Sequence, residues 1–126
     1  MKFRNPMANA LNHGSAGDGV AHWWAQRLSA ILLLLLMGWV VYALTVLAGA
    51  DYQSARDWLG QPVHAGLAAL FVLTALYHSV LGLQVVIEDY VHHRAAEVFL
   101  LVTIKLVAVV AAVLVVFALF NIASGV

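Results

Sequence analysis

His78 is the residue whose type and place most clearly suggest chemistry. It lies within residues 63–87, a run interrupted only by His64, Thr74, Tyr77, His78, Ser79 and Gln84. Eleven residues separate it from Asp89, about 16 Å along a helix, which places it near the middle of a membrane span. Ionisable side chains at such depth are costly and mark functional positions. A neutral imidazole is an axial ligand for haem iron. Gly82, one helical turn further on the same face, leaves room for a flat macrocycle to approach. A histidine hydrogen-bonded to a neighbouring helix, with Gly82 admitting close helix contact, accounts for the same two residues.

A second candidate is the pair Asp89-Tyr90, where that run gives way to the polar link Glu88-Asp89-Tyr90-Val91-His92-His93-Arg94. A phenol donates a hydrogen bond to a carbonyl oxygen, and an adjacent carboxylate orients it or relays protons, so the pair suits a quinone. Tyrosine and acidic residues at a membrane interface also occur without any such role. Arg27 is placed to pair with a carboxylate or to anchor a helix among lipid phosphates, and His22 is equally open. His64 and the adjacent His92 and His93 read as interfacial residues; neighbouring histidines point to different sides of a helix and chelate poorly. The sequence contains no glycine-rich phosphate loop, no nucleophile triad and no metal-ligand cluster. Alone, the chain reads as non-catalytic.

The elements that must position these residues are membrane spans. Of the 126 residues 64% are hydrophobic and 10% charged, against roughly 45–50% and 25% in soluble domains. So small a chain has no interior able to hide that much apolar surface, so lipid must cover it. An all-α integral membrane bundle of three transmembrane helices follows, with spans at about residues 28–47, 63–87 and 98–122. Residues 1–27 read as a polar arm ending at Trp23, Trp24 and Arg27, a pattern typical of bilayer entry. Residues 51–61 read as a polar loop closed by Pro62, and residues 123–126 as a short tail. Ala48-Gly49-Ala50 resembles a signal-peptide cleavage site, but the preceding apolar run is too long for one. Leu32 to Leu36 reads as lipid-facing bulk, and Lys105 as a side chain that snorkels to the interface.

Six Lys and Arg balance six Asp and Glu, which points to no nucleic-acid partner. Their positions matter more. Lys2, Arg4, Arg27, Arg94 and Lys105 share one side and Arg56 has the other, so the positive-inside rule puts the N-terminus in the cytoplasm and the C-terminus outside. The chain has no cysteine, which excludes disulfides, thiolate metal sites and iron-sulfur ligation from it. Redox chemistry must come from partners or cofactors.

Two stretches carry a resemblance. His22-Trp-Trp-Ala-Gln-Arg27 before the first span, and His78-x3-Gly82-x6-Asp89-Tyr90 in and after the second, resemble the hydrophobic membrane-anchor (D) subunits of succinate dehydrogenase, the succinate:quinone oxidoreductase of respiratory complex II. The likeness covers length, three spans, charge bias and order of motifs. It implies a four-subunit complex of the tricarboxylic acid cycle and respiratory chain. In it a flavoprotein oxidises succinate and an iron-sulfur subunit passes electrons to two anchors in the bacterial inner membrane. By the resemblance, His78 would be one axial ligand of a haem b, hence a ligand of its iron, with the other ligand from the second, haem-binding anchor. Arg27 and His22 would lie near the propionates. Tyr90, with Asp89 beside it, would bind the carbonyl of a ubiquinone or menaquinone. The anchor of a haem-containing fumarate reductase is the nearest alternative. A non-redox structural or transport subunit, with His78 and Lys105 in a polar helix contact or proton path, is the alternative of another class; three spans are few for a transporter.

Overall fold

The computed structural model describes residues 18–125. These residues form four helices: α1 (Asp18–Leu47), α2 (Tyr52–Leu59), α3 (Pro62–Tyr90) and α4 (Arg94–Ser124). Three of them, α1, α3 and α4, are long and apolar enough to cross a membrane. With 30, 29 and 31 residues they reach about 45 Å each, well beyond the roughly 30 Å of hydrocarbon. The helices therefore tilt or carry polar turns past the hydrocarbon.

The helical boundaries extend further than hydropathy alone suggests. Residues 1–17 of the expected arm lie outside the described residues, but from Asp18 the chain is already helical, so His22, Trp23, Trp24 and Arg27 sit on the first turns of α1. No proline interrupts that stretch. At the other end Ala123 and Ser124 continue α4, and Gly125 closes it in the left-handed conformation with φ 75°, a cap that glycine adopts without Cβ strain. Val126 is outside the described residues.

The expected polar loop at 51–61 contains a helix. Asp51 caps α2: its Oδ1 accepts from the Ser54 backbone N–H at 2.9 Å, while its Oδ2 accepts from the Ser54 hydroxyl at 3.2 Å. The first of these bonds satisfies an otherwise orphaned amide at the helix start. Pro62 stands at the first turn of α3, where a missing N–H costs nothing. Between the two helices, a Cβ on Gly60 would meet the Ile122 carbonyl oxygen at 3.0 Å and the Arg56 carbonyl oxygen at 3.1 Å. Glycine thus lets the end of α2 approach the last turns of α4.

The middle position belongs to α3, which packs on α1 along one side and on α4 along the other, with α2 bridging the ends of α3 and α4. Among the described residues only Leu36, Ala43, Ala65, Leu81 and Ile87 are buried apolar side chains, and Ser29 is the one buried polar residue. Leu34 and Leu35 are exposed, at 75% and 72%, whereas Leu36 turns inward at 6%. The leucine run is thus two-sided rather than wholly lipid-facing. On α1 the positions His22, Gln26, Ser29, Leu36 and Ala43 recur at intervals of three, four or seven and form one face, as 3.6 residues per turn requires.

Candidate functional site

His78 is held by that face of α1. Its Nδ1 lies 2.9 Å from the Ser29 hydroxyl, and its Nε2 lies 3.2 Å from the Gln26 side-chain nitrogen. The Ser29 hydroxyl donates to the Gln26 backbone carbonyl at 3.0 Å. A hydroxyl has one hydrogen to give, so towards Nδ1 the serine acts as acceptor. The Gln26 amide nitrogen is only a donor, so Nε2 keeps the lone pair. The same tautomer satisfies all three contacts.

Around this trio the surroundings are incompletely paired. His22 Nε2 and Gln26 Oε1 are buried without a hydrogen-bond partner, an arrangement that costs free energy unless something else supplies a partner. Gly82 lies one turn along α3 from His78; a Cβ there would stand 3.6 Å from the Gln26 amide nitrogen. A groove of about 540 Å³ runs between α1 and α3, with Ser29, Thr74 and Tyr77 among its lining residues.

The other residues with predicted roles fall elsewhere. Arg27 is two positions before Ser29 and so about 200° around α1; its guanidinium lies over the Trp23 ring, 5.3 Å from the centroid. Trp23 and Trp24 meet edge to face, with centroids 5.1 Å apart. Asp89 and Tyr90 form the end of α3, both exposed, about 16 to 18 Å along the helix from His78. The Tyr90 backbone carbonyl accepts from His92 Nδ1 at 3.1 Å. Lys105 is eleven residues into α4, which starts at Arg94, and flanks a cleft with Leu76, Tyr77 and Val80 of α3. Among the described residues no group of three or more His, Cys, Asp or Glu is arranged to hold a metal.

His64 takes a packing role. Its ring stacks on Trp58 with centroids 3.7 Å apart, and its Nδ1 accepts from Trp39 Nε1 at 3.4 Å. Tyr42 and Trp39 complete an aromatic cluster that joins α1, α2 and α3.

A sequence profile described as "Succinate dehydrogenase/Fumarate reductase transmembrane subunit" matches residues 1–123. The chain belongs to this family. Its relatives include the succinate dehydrogenase hydrophobic membrane anchor subunit of Rickettsia bellii, 35% identical over 118 residues that cover 94% of each chain. The subunit of the same name from Paracoccus denitrificans is 29% identical over 102 residues, 79% of each chain. The succinate dehydrogenase membrane anchor subunit of Reclinomonas americana is 26% identical over 95 residues, 73% of this chain and 79% of its own. No solved structure matches significantly.

The structure brings together His78, Gln26, Ser29 and Gly82, with His22 on the same face of α1. Arg27 and the Asp89-Tyr90 pair stand apart from them. Sequence reasoning assigned no role to Gln26 or Ser29. The available signal was their spacing of three, together with Ser29 being one of only three polar side chains, beside Tyr42 and Thr45, in the first apolar run.

Proposed function

We propose that the chain is a membrane anchor of a succinate dehydrogenase complex in the bacterial inner membrane, where it helps hold a haem b and form a quinone site. The observation that carries this reading is a membrane-embedded imidazole whose Nδ1 is engaged and whose Nε2 lone pair meets only a flexible amide. It stands on a chain of the anchor family. The donor set suits a haem: His78 would supply one ligand to its iron, Gly82 would leave clearance, and His22, with its proton on Nε2, would donate to a propionate. Arg27, on the opposite side of α1, would reach a propionate only by leaving Trp23. When bound, such a haem accepts and releases one electron. The second ligand would come from a companion anchor, as the resemblance to the family implies.

At the far end of α3, the Tyr90 phenol would donate to a carbonyl oxygen of ubiquinone or menaquinone, and Asp89 would orient it or exchange protons with the quinol oxygens. Both side chains are exposed in this chain, so the site would be closed by the iron-sulfur subunit and the second anchor, with the flavoprotein beyond. The N-terminus would be cytoplasmic and the C-terminus periplasmic.

The test is a reduced-minus-oxidised spectrum of the assembled complex, taken for the wild type and for His78→Ala. A b-type band in the wild type that disappears in the variant, with the flavoprotein and iron-sulfur subunits still copurifying, is the expected result. Full haem occupancy in the variant refutes the ligand assignment.

A further inference from the structure

We propose that Ser29 is a positioning residue for the haem ligand, fixing the tautomer and ring orientation of His78 from the adjacent helix. This inference rests on the reading of His78 as an iron ligand. The nitrogen that binds iron must be bare, so the other must carry the proton. Of the two ring nitrogens, Nδ1 faces Ser29, which is only 6% exposed. Nε2 faces the end of the Gln26 side chain, a flexible group able to swing aside. Iron ligation therefore falls to Nε2, and the proton sits on Nδ1.

That proton has an acceptor waiting. The Ser29 hydroxyl, 2.9 Å away, has committed its own hydrogen to the Gln26 carbonyl, which turns an oxygen lone pair towards the ring. With the Gln26 amide turned over, its oxygen would instead take a proton from Nε2, the tautomer that is unable to ligate. The Ser29 contact opposes that state. Hydrogen bonds from a ligating imidazole to a fixed acceptor raise its basicity and orient its plane, and their loss weakens metal sites. A serine that bonds only to its own helix, as is common in membrane helices, would have no such effect on a residue 49 positions away.

The experiment compares Ser29→Ala and Ser29→Thr in the assembled complex. The readouts are the midpoint potential of the haem band and the electron paramagnetic resonance of the oxidised haem. In Ser29→Ala the imidazole donates less electron density, so the potential should move to a more positive value and the resonance should change as the ligand plane relaxes. Threonine keeps the hydroxyl and should restore both. If the alanine complex does not assemble, Ser29→Cys, with similar volume and a weaker acceptor, should give a smaller shift of the same sign. Haem lost in His78→Ala but an unmoved potential and resonance in the Ser29 variants would overturn the role of Ser29 alone. Haem retained in His78→Ala would remove the ligand assignment and the inference together.

Discussion

Tyr90 is 77% exposed, and its hydroxyl has no side-chain partner among the described residues. In the proposed site it has one task, donating a hydrogen bond to a quinone. Tyr90→Phe keeps the ring and deletes the donor, so quinone reduction by the complex should slow roughly 100-fold, the low end of the range for a lost acid-base group. Succinate oxidation with a soluble artificial acceptor should persist; an unchanged quinone rate would contradict the assignment. At this scale the sequence was informative about single residues and silent about pairs. His78 stood out by type and depth, because hydrocarbon makes any imidazole conspicuous. Its partners did not, since Gln26 and Ser29 lie 52 and 49 positions away and meet it only through the register in which α1 packs on α3. Arg27 differs: its spacing of two from Ser29 already sets it about 200° around the helix, and only the packing on α3 decides which of the two sides faces His78.

Among the elements, α2 depends on the cap at Asp51. The Ser54 backbone N–H, followed by the Ser54 hydroxyl, holds the Asp51 carboxyl below its ordinary value of 3.8. A carboxylate with a depressed folded value stabilises above its unfolded value, and that contribution disappears as pH falls through the folded one. The α2 segment should therefore loosen only in strong acid, below about pH 3.8, as followed by Trp58 fluorescence or by proteolysis between residues 48 and 61. Asp51→Asn keeps a capping oxygen and should remove the acid sensitivity. Gly60→Val would press a side chain against the Ile122 carbonyl and should destabilise the docking of α2 on α4 by about 1–3 kcal/mol, measured as a lower melting temperature of the complex. The three long helices were legible because lipid demands unbroken apolar runs of about 20 residues. The short helix was not: its composition is polar, and what makes it helical is a cap and an aromatic contact, Trp58 on His64, that hydropathy does not register.

At the scale of the whole molecule, few side chains are shielded by the chain itself. Five apolar residues are buried among those described, and none lies in α4. Lipid can cover such surfaces, but it cannot satisfy the unpaired His22 and Gln26 atoms. Expressed without companion subunits, the chain should turn over faster in the membrane than in the complex, measured by pulse-chase; equal lifetimes would mean that the anchor is self-sufficient. A phosphatase that works only in the periplasm should be active when fused after Val126, and a cytoplasmic reporter at the same point should be silent. Finally, His78 and Asp89-Tyr90 ride on one unbroken helix, α3, which makes that helix a ruler. One residue added between them would turn Tyr90 by about 100° and move it about 1.5 Å relative to His78. Substitutions along this stretch change what lies between the two proposed sites, whereas insertions and deletions change how the two face each other. The eleven-residue interval is therefore a length that homologous anchors using both positions have little freedom to vary.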